Sequence, residues 1–410
     1  MGKYWQFLLH VILLFMKKYS IADIPSDDTR KKLRAHSELT QILLSNRGIV
    51  STEEAEVFLN PDYERDVHDP FLILGMERAV ERILLAIKNK EKIVIYGDYD
   101  CDGIPGSVIL HDFFKKIEYE NFENYIPHRH KEGYGVHLHA VEQFAENEIK
   151  LVITVDCGIT NIKEVKRANE LGIDVIITDH HLPSETLPPA YAILNSKQED
   201  DTYPDDMLCG AGVAWKLICA LLEKIKEKKL FEVNDGWEKW LLDMAGLSTI
   251  ADMVPLQKEN RVLAYFGLKV LRKSPRPGLQ KLLKKAGASQ AHLTEDDVGF
   301  TIAPRINAAS RMDVPMRAFD LLSSDDETKA GEISNHLHKI NDERKWVVAG
   351  MVKEIKKNLK ERELREVIVI GNPKWRIGVL GIAANNIMDE FERPVFVWGR
   401  EGDGDIKGSC

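Results

Sequence analysis

Cysteine is scarce, and none of it is arranged for a structural job. The five cysteines, Cys101, Cys157, Cys209, Cys219 and Cys410, are scattered without a C-x-x-C pair, which excludes a zinc ribbon and a disulfide framework and favours a reducing, cytoplasmic setting. Positive charge is not in excess either. With 56 Lys and Arg against 65 Asp and Glu, the net charge is -9, so contact with a polyanion would have to come from a local basic patch or from acid neutralised by metal. No apolar run is long enough to span a bilayer comfortably. The nearest is "YWQFLLHVILLFM" (4–16), which also lacks a small-residue cleavage site and is followed by lysines. Met16 as the true start is the expectation there, ahead of a membrane anchor. No internal repeat or low-complexity segment is present. What remains is a chain of 410 residues, long enough for about two or three domains with real cores.

One stretch lacks a single decisive residue. "GDYDCDGIPGSVI" (97–109) sets Asp98, Asp100 and Asp102 at alternate positions before a glycine, as a calcium-binding helix–loop–helix does. The twelfth position counted from Asp98 must then be a bidentate glutamate, and it is Ile109. The run before it, "KIVIY" (92–96), reads as a buried strand and not as an entering helix. A calcium loop is excluded, and three carboxylates are left at the end of a strand.

From that strand onward, short apolar runs alternate with helical patterns: "KIVIYGD" before a helix from about 104, "NYIP" (124–127) before one from about 139, "KLVITVD" (150–156) before "NIKEVKRANELG" (161–172), then "DVIITD" (174–179) and "YAILN" (191–195). The alternation predicts an α/β fold with a parallel sheet covered by helices on both faces. Residues 17–90 read as a charged helical segment, with a capping box of Ser51 and Glu54 in "STEEAEVFL". Residues 210–325 read as mostly helical. Residues 325–363 run without proline and predict one helix of about 50 Å at 1.5 Å per residue, a connector to a second α/β lobe that begins with "EVIVIGN" (366–372). The chain ends some 45 residues into that lobe, too soon for one of ordinary size, so a longer parent polypeptide is expected.

Ligands gather beyond the carboxyl ends of strands in open α/β sheets. Three strands here end in acid: Asp98, Asp100 and Asp102 follow the first, Asp156 ends "LVITVD", and Asp179 ends "DVIITD" and is followed by His180 and His181. One such Asp is usually a turn former or helix cap. Several converging on one point would repel and raise each other's pKa unless cations neutralise them. Carboxylates with an imidazole suit Mn²⁺ or Mg²⁺ better than Zn²⁺.

"GDYDCDG", "ITVDCGI", "TDHH" and "STIADMVPL" (248–256) resemble the four motifs of the DHH phosphoesterase superfamily. "FLNPDY" (58–63), "YIPHRHKEGYG" (125–135), "LCGAGVAWKL" (208–217), "APRINAASRM" (303–312), "IGVLGIAA" (377–384) and the terminal "KGS" extend the resemblance to its RecJ-type, single-strand-specific exonuclease family. The resemblance implies a division into an N-terminal extension and helical segment (1–90), a parallel-sheet DHH catalytic domain with flanking helices (91–325), a connector helix (326–362) and an incomplete DHH-associated lobe (363–410). It implies that Asp100, Asp102, Asp156, His180 and Asp252 bind two divalent cations, Mn²⁺ or Mg²⁺, with Asp156 bridging. Two ions about 3.5–4 Å apart activate water for in-line attack on a phosphodiester and stabilise the leaving oxygen. His181 is implied to face the scissile phosphate, Asp179 to orient a histidine, and Asp98 either to ligate or to hold the loop. Arg129 and Ser409 fall where the family seats a 5′-terminal phosphate, and Arg311 where it contacts substrate near the cut.

The implied activity is 5′→3′ hydrolysis of single-stranded DNA to mononucleotides in recombination and repair. Single-stranded DNA is the implied partner, with a helicase and a single-strand-binding protein as accessories and no stable membrane association. A DHH phosphoesterase acting on short oligonucleotides or cyclic dinucleotides is the alternative, although those relatives carry a His-x-x-Pro-Asp type first motif where this chain has "GDYDCD". A non-catalytic scaffold is a further alternative, weakened by retention of all five ligands. His128, His130, His137 and His139 are not expected to form a second metal cluster, because they sit on a loop and helix start with no nearby carboxylate partner in the family pattern. Two departures from the family pattern stand beside the site: Ile104–Pro105 in place of small residues, with Pro tolerated in a first helical turn, and Ser310 in place of a glycine. The family pattern also continues past "KGS" to another arginine, the rest of the lobe and an oligonucleotide-binding barrel.

Overall fold

A computed structural model describes residues 21–400 and 404–410. The apolar segment 4–16 and Met16 lie outside the described residues. The chain divides after Asp62 into two compact units. In the first, α1 (Asp27–Lys32), α2 (Glu38–Ser45) and α3 (Thr52–Leu59) each start at a serine, Ser26, Ser37 and Ser51, whose hydroxyl accepts a backbone N–H of the first turn. Ser51 and Glu54 form the reciprocal capping box. Leu33, Leu44, Ile49 and Ala55 make this unit's small core.

In the second unit, α4 (Met76–Asn89) precedes β1 (Lys92–Gly97). Then come α5 (Gly103–Lys116), β2 (Phe122–Tyr125), α6 (Leu138–Glu146), β3 (Ile149–Val155), α7 (Ile162–Glu170), β4 (Asp174–Thr178) and β5 (Ala192–Leu194). The five strands are all parallel, in the order β2-β1-β3-β4-β5. Their near-continuous β-branched runs are explained by burial on both faces. Ile93 and Ile95 of β1 join Leu151 and Ile153 of β3 in a large core beneath α4 and α5. Val94, Tyr96, Val152 and Val175 point the other way, against Val141 and Phe144 of α6 and Val165 of α7. The order reverses between β1 and β3, the crevice where a doubly wound sheet receives its ligand.

The expected segment boundary near residue 90 differs from the observed division, because Ala79, Val80, Ile83 and Ala86 of α4 belong to the large core under the sheet. Amphipathic charge made this helix resemble its predecessors, whereas its apolar face packs with the strands of the second unit.

The helical part comprises α8 (Gly210–Lys228), α9 (Leu242–Ala251), α10 (Lys258–Leu271), α11 (Pro277–Ala286), α12 (Ala303–Met312) and α13 (Met316–Ser323). The connector is one unbroken helix, α14 (Glu327–Lys360), about 51 Å long at 1.5 Å per residue. Ala330, Ile333 and Leu337 near its start pack into the large core. Val348, Met351, Ile355 and Leu359 pack into a separate one. That second core lies among β6 (Ile368–Gly371), α15 (Leu380–Phe391) and β7 (Val395–Gly399), with β8 (Lys407–Ser409) antiparallel on β7. No helix of the described residues is long and apolar enough to cross a membrane.

A buried ion pair ties α8 to α10. Lys216 Nζ donates to Glu259 Oε1 at 2.6 Å, with both side chains fully buried. Lys216 also donates to the His68 carbonyl, and Tyr203 donates its hydroxyl to the other Glu259 oxygen. Removing one partner strands the other charge in the core. Glu259→Ala should therefore lower the unfolding free energy by about 3–5 kcal/mol in urea titrations; a loss below about 1 kcal/mol would show the pair to be dispensable.

Candidate metal centre

The acidic loop is an extension of β1. Asp98 continues the ladder one residue further, donating its N–H to the Val155 carbonyl at 3.0 Å. The chain then turns through Asp100 and Asp102 into α5. Asp100 Oδ1 accepts the N–H groups of Asp102 (2.8 Å) and Gly103 (3.2 Å), an Asx-type turn. Pro105 sits in the first turn of α5, where it has no N–H to give to the Cys101 carbonyl. Ser248 Oγ of α9 donates to that carbonyl instead (3.2 Å), and Asn307 Oδ1 of α12 accepts the Cys101 N–H (2.9 Å). Two helices from elsewhere in the chain thus hold the loop by one residue between its carboxylates.

Asp102 is almost fully buried, and both its oxygens are held by the start of α8: Gly210 N–H donates at 2.6 Å and Ala211 N–H at 2.8 Å. The positive end of the helix dipole favours an anion there. Gly210 is required by close approach, since a Cβ would stand 2.6 Å from the Asp156 Cβ. Asp156, after β3, adopts φ of 61°, unusual for a residue other than glycine or asparagine. Its N–H donates to the Thr178 carbonyl (2.9 Å), and its own carbonyl accepts the Tyr134 hydroxyl (3.0 Å).

Asp179, after β4, turns inward. Its Oδ1 accepts from His180 N–H (2.7 Å), His181 N–H (3.1 Å) and His181 Nδ1 (2.8 Å), and its Oδ2 from Ile159 N–H (3.0 Å). Burial opposes its ionisation, but the hydrogen bond and charge of His181 and the backbone donors outweigh burial and hold its pKa below the ordinary carboxylate value. The same bond raises the pKa of His181, against burial. The His181 Nδ1 also stands 3.0 Å from the Tyr134 oxygen. Because the Tyr134 proton goes to the Asp156 carbonyl, that oxygen can only accept, which fixes a proton on Nδ1 and turns Nε2 away from Asp179.

His180 enters the carboxylates directly. Its Nε2 lies 3.1 Å from Asp156 Oδ1, 3.6 Å from Asp102 Oδ2 and 3.7 Å from Asp252 Oδ2. Asp252 closes the C-terminus of α9, its N–H donating to the Ser248 carbonyl at 2.8 Å. Burial, then the charges of Asp102 and Asp100, push its pKa up to about 7. Asp98 and Asp156 are also raised well above the ordinary carboxylate value, first by burial and then by neighbouring carboxylates. Asp98 Oδ1 and Asp156 Oδ1 are both buried without a hydrogen-bond partner.

Orphaned, mutually repelling carboxylate oxygens beside an imidazole are the donor set of a hard divalent cation. Three groups have ligand atoms within 4.8 Å of one another: Asp98, Asp100 and Asp156; Asp102, His180 and Asp252; and Asp156, His180 and His181. All five ligands implied by the sequence therefore come together, and Asp98, left open by the sequence, joins them.

The arginines stand next to this cluster. The Arg129 guanidinium lies 4.9 Å over the Tyr99 ring. Arg311 Nη1 donates to the Gly378 carbonyl at 3.1 Å. Burial, followed by the charges of Arg129 and Arg344, pushes the Arg311 pKa down to about 10, as expected where cations are gathered without an anion between them. Ser409, on β8, faces Gly381 in the first turn of α15, where a Cβ would meet its Oγ at 2.9 Å. The turn 378–381 thereby links Ser409 to Arg311.

His128, His130, His137 and His139 lie apart from the cluster. A carboxylate does lie among them: Glu132 accepts from Tyr125 Oη (2.5 Å), His128 N–H (2.5 Å) and His139 Nε2 (2.9 Å). Its oxygens are taken up in this network, and His130 Nε2 is bonded to the Arg311 carbonyl at 3.1 Å. Sequence reasoning missed Tyr134, Asn307, Ser248 and Arg344. Tyr134, Asn307 and Ser248 stand inside the segments 125–135, 303–312 and 248–256 that carry the family resemblance, but their contacts with the site come from distant elements, which spacing alone does not give.

Comparison with known proteins gives a consistent family. Residues 92–245 match the DHH family, N-terminal domain. The chain is 41% identical over 392 residues to the single-stranded-DNA-specific exonuclease RecJ of Bacillus subtilis, covering 94% of this chain and 48% of that protein. It is 34% identical to RecJ of Salmonella typhimurium, covering 94% of this chain and 67% of that one. The fold is similar to a crystal structure of exonuclease RecJ bound to manganese, with a TM-score of 0.71, 34% identity and 80% of each chain covered. The chain thus spans about half the length of the Bacillus protein.

Asp252, pushed up to about 7, holds a proton over part of the neutral range and must release it to take a cation. Mn²⁺ affinity should rise between pH 6 and 8, with net proton release measured by calorimetry in buffers of different ionisation enthalpy. Affinity independent of pH and of buffer would show that Asp98, Asp156 and Asp252 do not receive the ion.

Proposed function

Since the chain belongs to the RecJ family of DHH phosphoesterases, we propose that it is a divalent-cation-dependent 5′→3′ exonuclease that removes mononucleotides from single-stranded DNA in recombination and repair. The observation that carries this reading is the gathering of two ligand groups, Asp98 with Asp100 and Asp156, and Asp102 with His180 and Asp252, joined where His180 Nε2 stands 3.1 Å from Asp156 Oδ1, beside gathered arginines. Asp98, Asp100 and Asp156 would hold one cation and Asp102, His180 and Asp252 the other, with Asp156 shared between the two. Bound there, Mn²⁺ or Mg²⁺ supplies Lewis acidity to water and to the phosphodiester.

The other residues take roles set by their contacts. Asp179 fixes the ring of His181. With Nδ1–H engaged by Asp179, Nε2 faces away from it, and in the imidazolium form that the raised pKa favours it would donate to charge building on the phosphoryl oxygens. Arg311 and Arg129 offer planar forks that bind two phosphate oxygens at once. The Ser409 hydroxyl donates to a 5′-terminal phosphate. The single-strand specificity of the relatives, carried over here, requires that the terminal nucleotide leave its complementary strand. A helicase that opens a duplex and a single-strand-binding protein that keeps it open would supply such a substrate. The five free cysteines accord with a cytoplasmic setting.

With Mn²⁺ and 5′-phosphorylated oligonucleotides, release of mononucleotides from single strands should exceed that from blunt duplexes by at least about 100-fold. Asp156→Ala should cost about 10³-fold or more, and His181→Ala about 10²–10³-fold, the scale of one lost transition-state donor. Equal attack on duplex ends, or activity that survives Asp156→Ala, would refute the reading.

A further inference from the structure

The connector helix carries a second basic feature that the metal centre does not use. A groove of about 1040 Å³ runs along α14 and the edge of α15, lined by Arg344, Lys345, Lys353, Lys356, Lys357 and Lys360, with Ile382 and Asn386 opposite. In a chain of net charge -9 this is a strong local inversion of sign. The acid in its lining, Glu354, spends its oxygens elsewhere, accepting from Asn372 Nδ2 (2.8 Å) and Trp375 Nε1 (3.0 Å). Lys345 is paired with Asp342 and Lys356 with Glu390. Lys353, Lys357 and Lys360 have no carboxylate partner among the described residues.

An aromatic residue shares this face. Trp346 is 78% exposed. Trp346, Gly350, Lys353, Lys357 and Lys360 follow i, i+4, i+7, i+11 and i+14, which sets them on one stripe of the helix. Gly350 leaves the surface beside the indole open, with nothing near its vacant Cβ position. From residue 344 to residue 360 the helix rises about 24 Å. Arg344 lines one end of the groove, and its guanidinium is anchored by Asn341 Oδ1 at 3.1 Å. Its charge also acts on Arg311, which places this end of the groove toward the arginines of the metal centre. Cations that follow a backbone, combined with an exposed ring on which bases stack, form the signature of a single-strand track.

We propose that the groove on α14 holds the part of the single-stranded DNA that lies beyond the nucleotides at the metal centre, with Arg344, Lys353, Lys357 and Lys360 on phosphates and Trp346 stacked on a base. This rests on the functional reading above and adds to it the path of the remaining strand. A lone basic helix face is more often a solvated surface; the exposed indole in register with the lysines and the placement of the Arg344 end toward the metal centre distinguish this one.

The test compares binding of phosphorothioate-linked, 5′-phosphorylated dT₃ and dT₁₂ to the 410-residue chain by fluorescence anisotropy across a salt series. Lys353→Glu/Lys357→Glu should weaken dT₁₂ binding at least about tenfold and lower its salt slope by about 1.4, the value for two phosphate contacts on a single strand. Trp346→Ala should weaken dT₁₂ binding about tenfold, the scale of one lost stack. Binding of dT₃ should not change in either variant. Unchanged dT₁₂ binding, equal weakening of dT₃ and dT₁₂, or displacement of dT₁₂ by polyglutamate as readily as by dT₁₂ itself would overturn the proposal. A chain that binds dT₁₂ through these residues yet releases no mononucleotide from ordinary oligonucleotides supports the groove and removes the catalytic reading instead.

Discussion

Crowding of negative charge at the carboxyl ends of β1 and β3 is the constraint around which this molecule is arranged. Asp98, Asp102 and Asp156 are nearly inaccessible to solvent, and a buried carboxylate without a partner costs several kcal/mol or gives up its charge. The fold offsets that cost unevenly. Asp102 is met by two N–H groups at the start of α8, and Asp179 by His181 and three backbone donors. Asp98 Oδ1 has no hydrogen-bond partner, and Asp156 Oδ1 has only the His180 ring nitrogen beside it at 3.1 Å, in no hydrogen bond. The protein compensates the residues that shape the site and leaves uncompensated the oxygens that face its centre. Incomplete satisfaction of this kind marks a place reserved for a cation.

The scaffold reflects the need to hold those oxygens still. Parallel strands buried on both faces fix the ends of β1, β3 and β4 relative to one another, and a loop on such a frame moves little. The loop between Asp98 and Asp102 is then pinned at Cys101 by Ser248 and Asn307. Pro105 fits this scheme: by withholding an N–H it leaves the Cys101 carbonyl for Ser248. The helical part thus acts as a clamp on the acidic loop as well as the support of α14, which carries Arg344 toward the same region.

Much of this was legible in the sequence for a physical reason. Strands with both faces buried are short β-branched runs, so "KIVIY", "LVITV" and "DVIIT" announced themselves, and the acids just past them fell at the ligand-binding edge of the sheet. The connector helix was legible because an uninterrupted run without proline has few alternatives. Other parts were not. The helix Met76–Asn89 looked like the helices before it, and only the packing of Ile83 and Ala86 under the sheet assigns it to the second unit. Tyr134, Asn307 and Arg344 contribute through contacts with residues far away in the chain, which local patterns do not encode. For Asp98, the spacing allowed ligation or a purely structural turn, and the unpartnered Oδ1 beside Asp100 and Asp156 weighs for ligation.

The central claim is that these carboxylates form two cation sites meeting at Asp156. Crystals of the 410-residue chain soaked in Mn²⁺ and measured at the manganese absorption edge test it most directly. The account predicts two anomalous peaks on either side of Asp156, one also touching Asp98 and Asp100 and the other also touching Asp102, His180 and Asp252. A single peak, or peaks that leave Asp98 and Asp156 untouched, would contradict it.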